Sequence, residues 1–194
     1  MILPIIAYGD PVLRKMGKNI DQDYPGLDEL LLNMEETMKN AQGVGLAAPQ
    51  IGKDIRLFLI DASPFAENEE LDEEEREFLK SFKRTFINAE IVEEEGDEWA
   101  FNEGCLSIPN INEDVYRPET IRVRYLDEEF NPKEEVLSGL AARIFQHEYD
   151  HIEGVLFTDR LSSLKKRLLK KKLENISKGK VDVSYRMKFP NIKK

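Results

Sequence analysis

Apolar residues recur at helical spacing in the first quarter of the chain. They are Leu27, Leu30, Leu31, Met34 and Met38. Residues three or four apart share one face of a helix, so this pattern predicts an amphipathic helix with that face in the core. Pro25 fits its first turn, and Gly43 is placed to end it. The methionines are interpreted as core residues rather than ligands.

Shorter apolar segments elsewhere have the composition of strands. They cover residues 56–60, 85–92, 120–126 and 135–137. Valine, isoleucine and aromatic residues favour extended backbone. For residues 120–126 and 135–137, the short connections indicate antiparallel strands. The acidic residues 93–98 enclose a glycine and are predicted to form a hairpin turn.

A helix is predicted over about residues 138–153, with Ser138 as its N-cap and Gly154 as its stop. One broad face of it carries both aliphatic and polar side chains. These are Leu140, Ile144, His147, Glu148 and His151. We expect this mixed face to be buried against the sheets, because residues one turn apart lie on the same side of a helix.

One predicted helix is strongly basic and contrasts with an acidic body. A basic helix is predicted over about residues 163–177, with leucines 164, 168, 169 and 173 as its apolar side. Residues 67–77 form a very acidic run, interpreted as a solvated insertion with a short helix. Phe78, Phe82 and Phe86 follow that run at intervals of four and are expected to anchor it. Residues 181–189 alternate like a strand that leads into a mobile end.

Composition limits the class of protein. A chain of 194 residues with 41% hydrophobic and 34% charged residues fits one globular catalytic domain over residues 1–194. No apolar run approaches a membrane span, and the N-terminus lacks signal-peptide features, so no membrane partner is expected. The single cysteine suits the reducing cytoplasm. A net charge of −10 argues against a DNA-binding role.

The chain has only two histidines, His147 and His151, and they lie one helical turn apart. Imidazoles at this spacing clamp a divalent metal, and Glu148 between them is placed to act as a base. A chance match on a solvated helix is the alternative. A catalytic ion needs a third protein ligand. Cys105 upstream is one candidate; Glu174 downstream is the other, which would indicate a zinc endopeptidase.

Three segments together resemble the signature motifs of the peptide deformylases. They are residues 43–50 (GVGLAAPQ), 103–107 (EGCLS) and 146–151 (QHEYDH), in this order. The opening GDPVLR also resembles that family. The resemblance implies an α+β fold in which antiparallel β-sheets pack around a central metal-binding helix, followed by a C-terminal helix. It also implies hydrolysis of the N-formyl group from formylmethionine on newly synthesised polypeptides. The expected cofactor is Fe²⁺, with Zn²⁺, Ni²⁺ or Co²⁺ as substitutes.

The same resemblance assigns roles to residues of this chain. Cys105, His147 and His151 would hold the ion, with Glu148 as general base and acid. The Gln50 amide and the Leu106 backbone N–H would donate to the formyl oxygen.

Further residues are expected near the substrate. Leu140 and Ile144, two turns and one turn before His147, are predicted to line a pocket for the methionine side chain. The backbone of Val44 and Gly45 would pair with the peptide. Arg117 is a candidate buried partner for Glu103 or Asp150.

Three features depart from the common pattern of that family: Ala89, an insertion near residues 64–84, and a tail beyond Gly179. None is expected to touch the site. The basic helix is interpreted either as a ribosome-docking element or as a solvated helix that balances the acidic insertion. A non-catalytic ribosome-associated protein with a structural metal is a further alternative, although such a site has no use for Glu148.

Overall fold

Two long strands joined by a two-residue turn organise the fold. The computed structural model describes residues 1–192. The strands are β1 (Ile5–Ile6), β2 (Gly45–Ala47), β3 (Leu57–Asp61), β4 (Lys83–Cys105), β5 (Ile108–Leu126), β6 (Pro132–Ser138) and β7 (Met187–Lys188). The helices are α1 (Leu27–Asn40), α2 (Glu73–Ser81), α3 (Gly139–Ile152) and α4 (Ser163–Ser177).

The main sheet has the strand order β2–β3–β4–β5–β6, and every neighbouring pair is antiparallel. The short connections between β4 and β5 and between β5 and β6 require this arrangement, as predicted for the latter pair. Helix α3 contacts β2, β3, β5 and β6, and Phe145 at its centre is fully buried. The α+β class with an antiparallel sheet packed on the histidine helix is therefore confirmed.

Residues 93–98 do not form the predicted hairpin turn but continue β4. Glu93 pairs with Arg122 and Glu98 with Pro118, and the register shifts between them. Gly96 lies at this shift with a φ of 82°. A bulge at a glycine accommodates extra residues without ending a strand. The actual turn comes at Leu106 and Ser107.

The two ends of α3 match the predicted bounds closely. Ser138 occupies the N-cap position, and Gly154 follows the last turn with a φ of 74°. The Ser138 hydroxyl does not cap the helix, however, because it lies 3.0 Å from the hydroxyl of Thr120. The Leu140 N–H instead donates to a carboxylate oxygen of Glu75 at 3.0 Å. A side chain of the acidic insertion thus caps the histidine helix.

Helix α1 is shorter than predicted. Gly26 is its N-cap, so Pro25 precedes the helix instead of occupying its first turn. The helix ends at Asn40, before Gly43. Its apolar face is buried as expected, with Met34 and Met38 at the centre of a core cluster.

The acidic insertion contains the short solvated helix that was predicted, α2. Phe82 and Phe86 are buried, and their ring centroids lie 6.2 Å apart. Phe78 is 41% exposed, but its ring centroid lies 5.3 Å from that of Phe82, so the three rings form the predicted row between the insertion and the core. Phe78 lies on α2 and Phe86 on β4, so the row connects the two elements.

Helix α4 begins and ends as predicted, but only part of its leucine set is buried. Leu169 and Leu173 pack into the core, whereas Leu164 and Leu168 are 61% and 70% exposed. After α4 the chain returns to the body, and β7 pairs in parallel with β1. The strand predicted over residues 181–189 is thus reduced to two residues. In the described part of the chain, no helix is both long and apolar enough to cross a membrane.

Replacing Glu75 by alanine is expected to lower the free energy of unfolding by about 1 kcal/mol, because the N-terminus of α3 loses its cap. Urea unfolding monitored by circular dichroism measures this difference. Glu74→Ala is the matched control, since Glu74 lies beside Glu75 in α2 and is exposed. Equal stabilities of the two variants would contradict the capping role.

Candidate metal centre

Strand β4 and helix α3 bring together three side chains that could hold a metal ion. Cys105 ends β4, while His147 and His151 lie one turn apart on α3. One ligand atom from each lies within 4.8 Å of the other two. The Cys105 Sγ lies 3.2 Å from Nε2 of His151. Two ligands of one tetrahedral ion are roughly 3.5 Å apart, so sulfur and the imidazoles are placed to share an ion such as zinc or iron.

The electrostatics of the centre favour a thiolate at Cys105. Burial raises the pKa of this thiol, but the charge of His151 and hydrogen bonds with both imidazoles outweigh burial and bring the pKa to about 5. A bound cation acts in the same direction, because positive charge stabilises a thiolate. Cys105 is therefore suited to be a ligand at neutral pH.

Glu148 lies beside the two histidines in a buried position. It is 4% exposed, and its Oε2 has no hydrogen-bond partner within residues 1–192. Burial raises the pKa of its carboxyl to about 7, against the opposing charges of His147 and His151. An unpartnered carboxylate oxygen here suits a proton acceptor for a reacting molecule.

The glycine of β2 explains how close Glu148 comes to the strand. A Cβ built on Gly45 would lie only 2.3 Å from Oε1 of Glu148, which no real contact allows. Close packing against Glu148 therefore explains why Gly45, the second glycine of GVGLAAPQ, has no side chain. A side chain at this position would displace the carboxylate.

Gln50 has a fixed orientation next to the sulfur. Its Oε1 accepts a hydrogen bond from the Ala47 N–H at 2.8 Å, and its Nε2 donates to the Ser107 hydroxyl at 3.3 Å. The same Nε2 lies 3.6 Å from Cys105 Sγ. The amide N–H group is thus held against the turn that contains Leu106.

Behind the ligands lies a network of buried charges. Arg117 forms two hydrogen bonds with Glu103, at 2.7 and 2.9 Å, and one with Asp150 at 2.7 Å. Both partners considered for Arg117 are therefore contacted. Glu103 in turn accepts from Nδ1 of His147 at 2.9 Å. Burial would raise the pKa of Glu103, but Arg117 and His147 hold it well below its ordinary value.

The centre opens into a cleft of about 570 Å³. Val44, Gly45 and Ile144 line it, together with His147 and Glu148. Leu140 does not line the cleft: its side chain is 3% exposed and belongs to the main core cluster. Leu140 lies two turns before His147, and at that position α3 is packed inside the core and does not border the cleft.

Several cleft residues were not found from the sequence. They are Phe65, Phe101, Arg143 and the tail residues Asp182, Val183, Ser184 and Tyr185. The insertion and the tail therefore both reach the site, contrary to expectation. The signal in the tail was its alternation, since residues 181–189 alternate between half-buried and exposed positions over most of their length.

A cysteine sulfur, two imidazoles and an unpartnered buried carboxylate beside a cleft define a metal-dependent hydrolase. The family model described as polypeptide deformylase matches residues 2–167. The chain belongs to the polypeptide deformylase family, whose members hydrolyse the N-formyl group of nascent polypeptides.

Relatives and solved structures agree with this assignment. The chain is 63% identical to the peptide deformylase of Christiangramia forsetii over 194 residues, covering 100% of this chain and 99% of that protein. The peptide deformylase of Flavobacterium johnsoniae gives the same identity and coverage. The crystal structure of the Legionella pneumophila enzyme matches with a TM-score of 0.77 at 37% identity, over 93% of this chain and 98% of that one.

The endopeptidase alternative is not supported. Glu174, its third ligand, pairs with Lys178 on the exposed side of α4. Among residues 1–192, the candidate metal cluster consists of Cys105, His147 and His151. The reaction therefore concerns a formyl amide rather than an internal peptide bond.

Replacing Arg117 by alanine leaves Glu103 and Asp150 buried without their shared cation. We expect the free energy of unfolding to fall by about 3–5 kcal/mol and the metal affinity by roughly tenfold to 100-fold. Chemical unfolding and metal competition titrations measure the two effects.

Arg117→Lys keeps the positive charge but lacks the planar guanidinium that bonds Glu103 through two N–H groups. It therefore tests metal affinity in a variant that is less destabilised than Arg117→Ala. Arg124→Ala, an exposed arginine of β5, is the control. Unchanged metal affinity in both Arg117 variants would show that the network does not support the ligands.

Proposed function

We propose that Cys105, His147 and His151 hold one ferrous ion, and that the chain uses it to remove the formyl group from the formylmethionine of nascent polypeptides in the cytoplasm. The observation that carries this proposal is the meeting of these three ligands beside the unpartnered Glu148. One soft thiolate with two imidazoles suits Fe²⁺, and Zn²⁺, Ni²⁺ or Co²⁺ would fit the same donors. When bound, such a cation supplies Lewis-acid polarisation and lowers the pKa of water.

Glu148 is the proton carrier in this proposal. It accepts a proton from water as the water oxygen attacks the formyl carbon. It then returns a proton to the amide nitrogen as the carbon–nitrogen bond breaks, so that formate and a free amine leave. The raised pKa of Glu148, about 7, suits a group that must both take and give a proton near neutrality.

Gln50 and Leu106 stabilise the charge that develops on the formyl oxygen. The Gln50 side-chain amide and the Leu106 backbone N–H belong to groups already fixed around the Cys105 turn. Donors that need no reorganisation are the effective ones, and a single donor of this kind contributes about 3 kcal/mol.

The peptide chain is recognised mainly through its backbone. Strand β2 is an edge of the main sheet, so the Val44 N–H and the main chain of Gly45 are offered to an extended peptide, while the Val44 carbonyl accepts from the Asp61 N–H of β3. The side chains of Ile144 and Phe101 line an apolar part of the cleft for the methionine side chain. Backbone pairing with one apolar pocket gives affinity without demanding a particular downstream sequence.

Glu148→Ala is expected to lower formate release from a formyl-methionyl peptide by at least about 100-fold while bound metal is retained. Cys105→Ser is expected to lose the metal, because it removes a ligand. Anaerobically purified protein, with metal analysis of the same sample, gives both measurements. Glu174→Ala is the control and should behave like the unaltered enzyme. Full-rate deformylation by Glu148→Ala would refute the proposed role of Glu148.

We further propose that α4 docks on ribosomal RNA. It exposes a cluster of cations on a protein that is acidic overall. They are Lys166, Arg167, Lys170, Lys171 and Lys172. Phosphate contacts made by such a cluster bring the enzyme to its substrate as it emerges, and they weaken with salt.

Changing these five residues to glutamine is expected to reduce co-sedimentation with ribosomes at least tenfold at low salt, to the level seen with unaltered enzyme at high salt. A control changes the exposed Lys39, Lys53 and Lys80, which lie elsewhere on the surface. Deformylation of a free peptide should be equal in all three proteins. Undiminished co-sedimentation of the α4 variant would refute docking and leave a solvated helix.

A further inference from the structure

The segment after α4, residues 179–192, is here called the C-terminal tail. It lies beyond the family match, which ends at residue 167. Four of its residues, Asp182 to Tyr185, nevertheless line the cleft of the metal centre. A segment outside the shared family region thus contributes to the site.

The tail is held to the body along its length. The Asn110 side-chain amide donates to the carbonyl of Asp182 at 3.0 Å. The Ile5 N–H donates to the carbonyl of Arg186 at 2.9 Å, next to the β1–β7 pairing. The Asn191 N–H donates to the carbonyl of Ser177 at 3.0 Å. Tyr185 lies between the attachments at Asp182 and Arg186, which hold the main chain on both sides of it.

Tyr185 contacts the turn that ends β4. Its hydroxyl donates a hydrogen bond to the carbonyl oxygen of Leu106 at 2.8 Å. The next carbonyl, that of Ser107, accepts from the Tyr8 N–H at 2.9 Å. Both carbonyl groups of this two-residue turn are therefore held by donors from distant parts of the chain. The Tyr185 bond orients the peptide plane that joins Leu106 to Ser107, because a carbonyl and the following N–H rotate together. The adjoining plane, which joins Cys105 to Leu106 and contains the Leu106 N–H, meets it at the Leu106 Cα.

This turn connects two functional groups. The Cys105 sulfur lies at its start, and the Leu106 N–H is the proposed donor to the formyl oxygen. A turn free to rotate would let both groups depart from the geometry that the reaction needs, and small departures of this kind are costly to catalysis.

We propose that Tyr185 is a positioning residue of the active site, acting from the C-terminal tail through the Leu106 carbonyl. It fixes the turn so that the Cys105 sulfur and the Leu106 N–H face the ion and the formyl oxygen. The inference rests on the proposed function for the role of Leu106, but the placement of the sulfur is measured independently of turnover.

The test compares Tyr185→Phe, which loses only the hydroxyl, with Tyr116→Phe, which changes a tyrosine that is 62% exposed on β5. In Tyr185→Phe, kcat for a formyl-methionyl peptide is expected to fall about threefold to tenfold, the effect of one lost hydrogen bond, with KM within about twofold. The visible absorption bands of the Co²⁺-loaded protein are expected to shift, because they report ligand geometry. Tyr116→Phe should change neither.

A kcat equal to that of Tyr116→Phe would overturn the proposal, as would an effect on KM alone or unchanged cobalt bands. Thermal unfolding of both variants, with assays run well below the melting temperature, separates positioning from loss of folded protein. If the unaltered enzyme released no formate, the proposed function would fail. The cobalt spectra would still decide whether Tyr185 holds the turn.

Discussion

The metal centre depends on a set of buried charges that neutralise one another. Arg117 is 1% exposed and lies between Glu103 and Asp150, which are both 4% exposed. Arg143 adds a further hydrogen bond to Glu103 at 3.1 Å, and Arg160 binds Asp150 from the surface at 2.6 and 2.7 Å. Charges removed from water are tolerated only when each has a partner of opposite sign and satisfied hydrogen bonds. The arginines meet that requirement for both carboxylates.

The same charges connect the two elements that carry the proposed ligands. Glu103 lies on β4 two residues before Cys105, and Asp150 lies on α3 next to His151. Arg117 on β5 contacts both, so it fixes strand and helix relative to each other. Glu103 also sets the orientation of the His147 ring by accepting from its Nδ1, which leaves Nε2 for the ion. Fold stability and ligand geometry are thus maintained by one network.

Much of the site could be predicted because its signals are local. The spacing of His147 and His151 fixes their common face, and Ser138 and Gly154 bound their helix within a residue or two. The assignment of Cys105 as third ligand and the proposed roles of Gln50 and Leu106 rest on the family resemblance, since nothing local connects residues so far apart. The packing of Gly45 against Glu148 then accounts for one residue of those motifs in physical terms.

Most of the failures occurred where long-range contacts overrode what the local sequence indicates. Residues 93–98 resemble a turn by themselves, but pairing with β5 keeps them extended. Leu140 has the correct helical phase for the cleft, yet its distance along the axis places it in the core. The tail seemed a free end because its partners, Ile5 and Leu106, are distant in sequence.

The pairing of β1 with β7 has a consequence for how the molecule assembles. Each strand has two residues, and almost the whole described chain separates them. Closing so large a loop costs conformational entropy. Two residue pairs contribute too little free energy to offset that cost until their surroundings are ordered. We therefore expect this small sheet to be among the last parts to form and the first to open. The tail that carries Tyr185, and with it the turn at Leu106 and Ser107, would then become ordered only when this sheet forms. A folding intermediate with an intact main sheet would still lack an ordered active site.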